Sequence, residues 1–330
     1  MTFAYSQMPL DRCSNSRKNR AWLKAEFNKS NTLFCLINDG MCLFKLDELA
    51  PLFLSIMQLE TLNLDQCIFL GRNEQGAIFA VDQNKLRFSN QEELLTQGQW
   101  LSLRQHTALL NTFDAGVLAL AKGLVHWHKS HQFCGQCGNL NRSTEAGHAR
   151  KCTECRNMTF PRTDPAVIML VEKMFNDGVP RCLLGRQANW PDGVYSTLAG
   201  FVDPGETLEA AVIREVVEES AIIAENPTYI ASQPWPFPAS IMLGFIAQAN
   251  SEKIDTRQDS LEDAQWFSRE QIARFALNNS IINAEGEQHK RAGNDVESSK
   301  QNEPQYKMSS SDSISSYLIT AWLNKEIGMY

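Results

Sequence analysis

Several things this chain lacks narrow what it can be. No run of eighteen or more apolar residues occurs, and the longest candidate, Leu49 to Leu59, has the size of a core segment, which excludes a membrane-spanning helix. A charged n-region followed by a cleavable apolar stretch is also missing at the start, so the expectation is a cytoplasmic protein. There is no basic surplus: 31 Lys and Arg stand against 38 Asp and Glu, a formal charge of −7, which argues against broad, non-specific nucleic-acid binding. A phosphorylated small molecule remains open if a cation neutralises it. Nor is there a disulfide framework. The cysteines number nine, and Cys13, Cys35, Cys42, Cys67 and Cys182 are scattered without pattern, as expected of reduced thiols. No internal repeat is visible.

What is there is an ordinary globular composition: 330 residues, 43% of them hydrophobic, are enough for a substantial core and two or three folding units. Residues 33 to 46 and 67 to 82 each read as two β-prone runs around a polar, Gly-containing turn, so the first hundred residues form a small β-rich unit. From Ala108 to His131 apolar residues recur at helical spacing with no proline, which predicts one long helix. Ala166 to Val171 is a continuous apolar run typical of a buried strand, and a mixed α/β domain begins there. Residues 277 to 311 are rich in Asn, Ser, Glu, Gln and Lys and read as a disordered insertion, after which Ile314 to Trp322 reads as a short amphipathic helix.

Cys134-Gly-Gln-Cys137 and Cys152-Thr-Glu-Cys155 are paired C-x-x-C knuckles, a spacing that lets four thiolates converge on one tetrahedral ion. Gly135 and Gly138 suit the tight turns a knuckle needs. The competing readings are a redox dithiol or a coincidence of buried cysteines. His131 and His148 lie close by and are left out of the ligand set. A sulfur-filled zinc site has no open position for water, so this ion would stabilise the fold rather than catalyse.

Gly200 to Glu219 begins as a Gly- and Pro-punctuated loop and runs into a helix-forming segment with Thr207 as its N-cap. At about 100° per residue, Glu215, Glu218 and Glu219 share one arc, while Val212, Ile213, Val216 and Val217 occupy the adjoining one. Clustered hard oxygen ligands suit Mg²⁺ or Mn²⁺, although on its own an E-V-V-E-E run reads as a solvated acidic face. Further on, Ser232-Gln-Pro-Trp-Pro-Phe-Pro-Ala-Ser240 places proline at every second position around two aromatic rings. That density rules out a central strand and predicts a stiff, extended loop, suited to stacking flat rings against a base or simply to being rigid.

These segments together resemble the Nudix family. The box G-x5-E-x7-R-E-U-x-E-E-x-G-U is matched at Gly200, Glu206, Arg214, Glu215, Val216, Glu218, Glu219 and Ile222, and departs from the pattern at Ala221, where the family has glycine. If Ala221 adopts a left-handed conformation after the helix, the substitution costs on the order of 1 kcal/mol. The proline-rich run resembles the SQPWPFPxS signature of the family's NADH pyrophosphatase branch, which includes NAD-capped RNA hydrolases and carries a four-cysteine zinc ribbon directly before its Nudix domain.

The resemblance implies an α/β fold: a Nudix α/β/α sandwich over 161–330, preceded by a zinc ribbon at 131–160 and a β-rich N-terminal domain at 1–130. It implies zinc on Cys134, Cys137, Cys152 and Cys155, and a catalytic Mg²⁺ or Mn²⁺ on Glu215, Glu219 and the Ala199 carbonyl. Glu206 and Glu218 would complete the acidic cluster, and Arg214 would orient a glutamate. Phe160, Gln233, Pro234, Trp235, Pro236, Phe237, Pro238, Ala239, Ser240 and Ser315 would bind the dinucleotide. The implied reaction cleaves the diphosphate of NADH or NAD⁺, or removes the NAD cap from an RNA 5′ end, in a homodimer. Where the branch has a further metal-binding Glu, this chain has Ser260, with Asp259 or Glu262 as substitutes. The alternatives are a Nudix enzyme for another nucleoside diphosphate compound, such as ADP-ribose or a diadenosine polyphosphate, and a zinc-ribbon binding module with a decayed Nudix site.

Overall fold

A computed structural model describes residues 3–8, 10–59, 62–86, 98–257, 261–275 and 306–329. Asp259, Ser260 and residues 277–305 of the expected insertion lie outside these. The chain divides into two units by its contacts: Met1–Asp164 with Pro234–Ile241, and Pro165–Gln233 with Met242–Tyr330.

In the first unit the sequence Asn38-Asp-Gly-Met41 folds as predicted. Asp39 and Gly40 both take positive φ (45° and 82°), as a two-residue turn between right-twisted strands requires, and Asn38 pairs with Met41 across it. Leu33–Asn38 and Met41–Lys45 thereby form one hairpin, and Cys67–Arg72 with Ala77–Asp82 forms another. Both belong to a six-stranded sheet in which Leu33–Asn38 runs parallel to Ala77–Asp82. The long helix spans Thr112–Ser130. It starts later than the apolar periodicity suggests because the Asn111 side chain accepts the Asp114 amide at 2.8 Å and caps the helix there; Thr107–Leu109 is a separate 3-10 turn. Val117, Leu118, Ala121, Leu124 and Val125 of this helix are buried in one cluster with Cys35, Cys42 and Phe44 from the sheet. The cysteine segment adds a three-stranded sheet of Asn141–Thr144, Ala149–Cys152 and Met158–Thr159.

The second unit is built around Asp164–Met174, whose Ala166 to Val171 core is buried on both faces. Alternate residues point to opposite sides of a strand, and Val167, Met169 and Val171 pack in one cluster with Ala211, Val212 and Val216 of the helix Leu208–Ser220. At the end of the strand, Glu172 is buried and accepts hydrogen bonds from Trp322 Nε1 (2.8 Å) and the Met329 amide (2.7 Å). Those bonds tie down the helix Ile314–Leu323 and the tail after it. This last helix differs from the amphipathic expectation: Ile314, Ser315, Ser316, Leu318, Ile319, Ala321 and Trp322 are all buried, the Ser315 hydroxyl through hydrogen bonds. Ala224–Trp235 and Ser240–Ala249 are the outer two strands of this sheet, so part of the proline-rich run is strand after all. An edge strand tolerates proline because its outward amides need no ladder partner. Among the described residues, no helix is long and apolar enough to cross a membrane.

Ala221 closes the helix Leu208–Ser220 in the left-handed region (φ 59°, ψ 13°), its amide bonded to Val217 O at 2.8 Å. An exposed alanine there carries strain that glycine lacks. Ala221→Gly should therefore raise unfolding stability by about 0.5–1 kcal/mol in a urea titration, with an unchanged m-value.

Candidate active site and the cysteine centre

The strand Leu198–Phe201 pairs with the central strand in the register Ile168 with Ala199 and Val167 with Gly200, which fixes the backbone at the start of the box. After it, Glu206 Oε1 accepts the Asp203 amide at 2.7 Å, and Thr207 caps the helix by accepting the Ala210 amide at 3.2 Å. Ala211, Val212 and Val216 face the core, but Ile213 and Val217 are 37% and 43% exposed, so the apolar arc is narrower than the wheel predicts. Glu219, in contrast, lies on the inner side at 6% exposure, accepting the Ala199 amide at 3.2 Å.

Arg214 gathers the other acids. Its guanidinium donates to both oxygens of Glu206, at 2.5 and 3.1 Å, to Glu215 at 2.8 Å, to Glu218 at 2.9 Å and to the Phe201 carbonyl at 2.8 Å. The hydrogen bond to Arg214, and then that from the Asp203 amide, holds the Glu206 carboxyl below its ordinary range, while Glu206 foremost pushes Arg214 up. Gly200 is explained by Glu215. A β-carbon at residue 200 would lie 1.9–2.1 Å from the Glu215 carboxylate, so only glycine lets that side chain rest on the strand. The result is a cluster of hard oxygen donors beside the Ala199–Gly200 backbone, a donor set that fits a divalent cation.

Residues named from the proline-rich run fall in different surroundings. Gln233 is fully buried in the second unit, where its amide group donates to Asp312 O and accepts from the Ile314 amide, both at 2.7 Å. Pro234 and Pro238 are exposed, Pro236 and Ser240 are buried, and Trp235, Phe237 and Ala239 are half-buried. Trp235 and Phe237 pack against the core of the first unit. Phe160 is 63% exposed. Ser315 is 2% exposed; its hydroxyl accepts from the Thr197 amide (3.1 Å) and Thr197 Oγ1 (3.0 Å) and shares a hydrogen bond with Ser196 Oγ (2.7 Å), which uses its one proton and both lone pairs. Sequence reasoning missed Ser196 and Thr197, which carry no signal of their own. It also missed Lys122, marked only as a lone charge within an apolar run.

Cys134, Cys137, Cys152 and Cys155 bring their sulfurs within 4.8 Å of one another, with Cys137 3.4 Å from both Cys152 and Cys155 and Cys134 3.6 Å from Cys155. Four sulfurs about 2.3 Å from one ion lie about 3.8 Å apart, so the cluster fits a tetrahedral centre. The two knuckles repeat one geometry: the Cys134 amide donates to Asn139 O at 2.7 Å and the Cys152 amide to Asn157 O at 2.9 Å. Gly138 takes positive φ (75°) and Arg156 does so at the matching position (64°), whereas Gly135 does not. Backbone donation, led by that of Asn139, brings the Cys137 thiol down to about 6, towards the thiolate a metal needs. Neither histidine joins the cluster. His148 Nε2 bonds Phe69 O at 2.6 Å, and burial lowers its pKa to about 4.

The fold of the second unit and its box define a NUDIX domain, and residues 162–284 match that domain family. Residues 13–127 match the NADH pyrophosphatase-like rudimentary NUDIX domain. The chain is 31% identical to the NAD-capped RNA hydrolase of Schizosaccharomyces pombe over 315 residues, 80% of this chain and 83% of that protein. It is 40% identical to the NAD-capped RNA hydrolase NudC of Deinococcus radiodurans, over 61% of this chain and 69% of the relative. With the NAD-capped RNA hydrolase NUDT12 of Macaca fascicularis it shares 33% identity over 81% of its own length, but it spans only 66% of that relative. The chain belongs to the Nudix family.

Because the Glu215 carboxylate occupies the space a side chain at 200 would need, Gly200→Ala should displace it without unfolding the domain. We expect divalent-cation affinity, read by Mn²⁺ titration under electron paramagnetic resonance, to fall about 10- to 100-fold with an unchanged circular dichroism spectrum.

Proposed function

We propose that this chain hydrolyses the diphosphate of NADH and NAD⁺ to AMP and the corresponding nicotinamide mononucleotide, and that it removes NAD caps from RNA 5′ ends. One observation carries the reading: Glu215 and Glu219 are held against the Ala199–Gly200 strand, and Arg214 gathers Glu206, Glu215 and Glu218 beside them. In this proposal Glu215, Glu219 and the Ala199 carbonyl hold Mg²⁺ or Mn²⁺, with Glu206 and Glu218 completing the acidic cluster. The bound cation would neutralise the diphosphate and lower the pKa of water at the site. Arg214 keeps Glu206, Glu215 and Glu218 apart and oriented, and a carboxylate of the cluster takes the proton of the attacking water. Phe160 and the segment Pro234 to Ser240 hold the dinucleotide, and Gln233, its amide group committed to Asp312 O and the Ile314 amide, acts through the backbone it fixes. Ser315, its hydroxyl committed to Ser196 and Thr197, acts through the backbone it fixes just before Ala199.

The same proposal gives Cys134, Cys137, Cys152 and Cys155 to one structural Zn²⁺ per chain. It keeps the three-part organisation 1–130, 131–160 and 161–330, in a cytoplasmic homodimer.

Purified protein incubated with NADH, NAD⁺, ADP-ribose and NAD-capped RNA, each with Mg²⁺, Mn²⁺ or chelator, should release AMP, mononucleotide or 5′-monophosphate ends only with metal. Cleavage should favour NADH or the NAD cap over ADP-ribose; no cleavage by folded, zinc-loaded protein would leave a binding module instead. Glu219→Gln should reduce turnover by at least about 1,000-fold with the fold retained, and wild-type turnover in that variant would remove Glu219 from the ligand set. Elemental analysis should give one zinc per chain. Cys137→Ser should lower that content and the thermal midpoint together, since metal binding at such sites is folding free energy.

A further inference from the structure

The turn of the proline-rich run joins two hydrogen-bonded strands, Ala224–Trp235 and Ser240–Ala249, but has few backbone donors of its own. Pro234, Pro236 and Pro238 have no amide hydrogen, so every second residue lacks the donor that a strand or turn would use. Its own backbone contributes the Phe237 amide to Trp235 O at 2.8 Å, and the Asp164 amide donates to Ala239 O at 2.8 Å. Side chains of the first unit, to which Pro234–Ile241 belongs, restrain it further.

Trp235 and Phe237 meet edge to face, with ring centres 5.1 Å apart, and the Tyr5 ring stands edge-on to both, at 6.5 and 6.0 Å. Lys122, from the long helix Thr112–Ser130, donates from Nζ to Pro236 O at 2.9 Å and lies 4.8 Å from the centre of the Phe237 ring. Arg104 lies 5.6 Å from the centre of Trp235. Among the described residues, no carboxylate comes within ion-pairing distance of Lys122. A half-buried ammonium without a carboxylate partner is costly, and burial lowers the Lys122 pKa accordingly. Its hydrogen-bonding acceptor is the carbonyl of the central proline of the turn, and its ring partner is the phenylalanine that follows.

We propose that Lys122 and Tyr5 are positioning residues for dinucleotide recognition: they fix the attitude of the half-buried Trp235 and Phe237 rings so that these can take a flat base. This inference rests on the turn belonging to the dinucleotide site. A Tyr5 ring supporting both aromatics and a cation tying the intervening carbonyl leave the pair one arrangement, which removes the ordering cost a mobile loop would incur on binding. The effect therefore falls on substrate affinity and not on the acidic cluster that does the chemistry.

The test uses the full zinc-loaded chain and compares wild type with Lys122→Met, Lys122→Arg and Tyr5→Leu. Lys122→Met keeps the aliphatic stem and removes the donor. It should raise KM for NADH about tenfold, the scale of one aromatic contact, with kcat within about twofold and unchanged half-activation by Mn²⁺. Hydrogen exchange of the amides in 235–241 should speed up in the same variant, Lys122→Arg should recover most of the affinity, and Tyr5→Leu should reproduce the KM effect. Wild-type KM in Lys122→Met, or a fall in kcat that tracks a lowered thermal midpoint with KM unmoved, overturns the proposal. A wild-type chain that does not cleave NADH overturns the functional reading and the inference with it, whereas cleavage with identical KM in all chains overturns the inference alone.

Discussion

The acidic end of the box depends on one guanidinium. Carboxylates crowded onto one helical turn and the loop before it repel one another, and the repulsion grows as the surroundings exclude water. Arg214 answers this with five donor hydrogens in a fixed fork, bound to Glu206, Glu215, Glu218 and the Phe201 carbonyl. A lysine could satisfy one or two of these acceptors but not hold them at set angles to each other. Because the Phe201 carbonyl belongs to the strand and Glu206 to the loop, the same side chain also sets the distance between strand and helix. The close seat of Glu215 on Gly200 follows from that distance.

Much of this was legible in the sequence, because it depends on residues close together in the chain. The box helix, its Thr207 cap, the left-handed Ala221 and the Asp39-Gly40 turn follow from local backbone chemistry that composition and spacing report directly. The knuckles follow for the same reason, with the refinement that Gly138 and Arg156 take positive φ and Gly135 does not. What the sequence did not report is set by partners far away in the chain. The wheel assigns Ile213 and Val217 to an apolar arc, yet only the packing of the sheet decides how wide the covered arc is. The last helix looks amphipathic because its serines are polar, but Ser315 and Ser316 are buried, and the Ser315 hydroxyl is hydrogen-bonded to Ser196 and Thr197. Periodicity cannot separate a solvated hydroxyl from a satisfied one.

The two centres obey opposite rules. Four cysteines exhaust the positions around a tetrahedral ion, and the backbone donors around them favour thiolate, so nothing is left to bind a substrate. In the box, Glu206, Glu215 and Glu218 are held by hydrogen bonds from Arg214 and Glu219 by one from the Ala199 amide. Glu218 is about half exposed and Glu219 almost wholly buried, so the cluster runs from solvent into the domain. An oxygen-lined site with one end open suits a hydrated cation.

A match to a rudimentary NUDIX domain in the N-terminal region raises the question of what that region retains. Its long helix, Thr112–Ser130, contains a single acidic residue, Asp114, placed in the first turn beside the Asn111 cap. It therefore lacks the carboxylates with which the helix Leu208–Ser220 can hold a cation. The faces of the helix are committed instead to packing, with Ala115, Val117, Leu118, Ala121 and Leu124 buried against the sheet. One of its two lysines, Lys122, meets the turn that carries Trp235 and Phe237. The helix holds the turn through that hydrogen bond, as it holds Asp39 through Lys129 and the Gly147 carbonyl through His128, and its single carboxylate does not repeat the acidic cluster. Support of the aromatic turn is thus one role its residues permit.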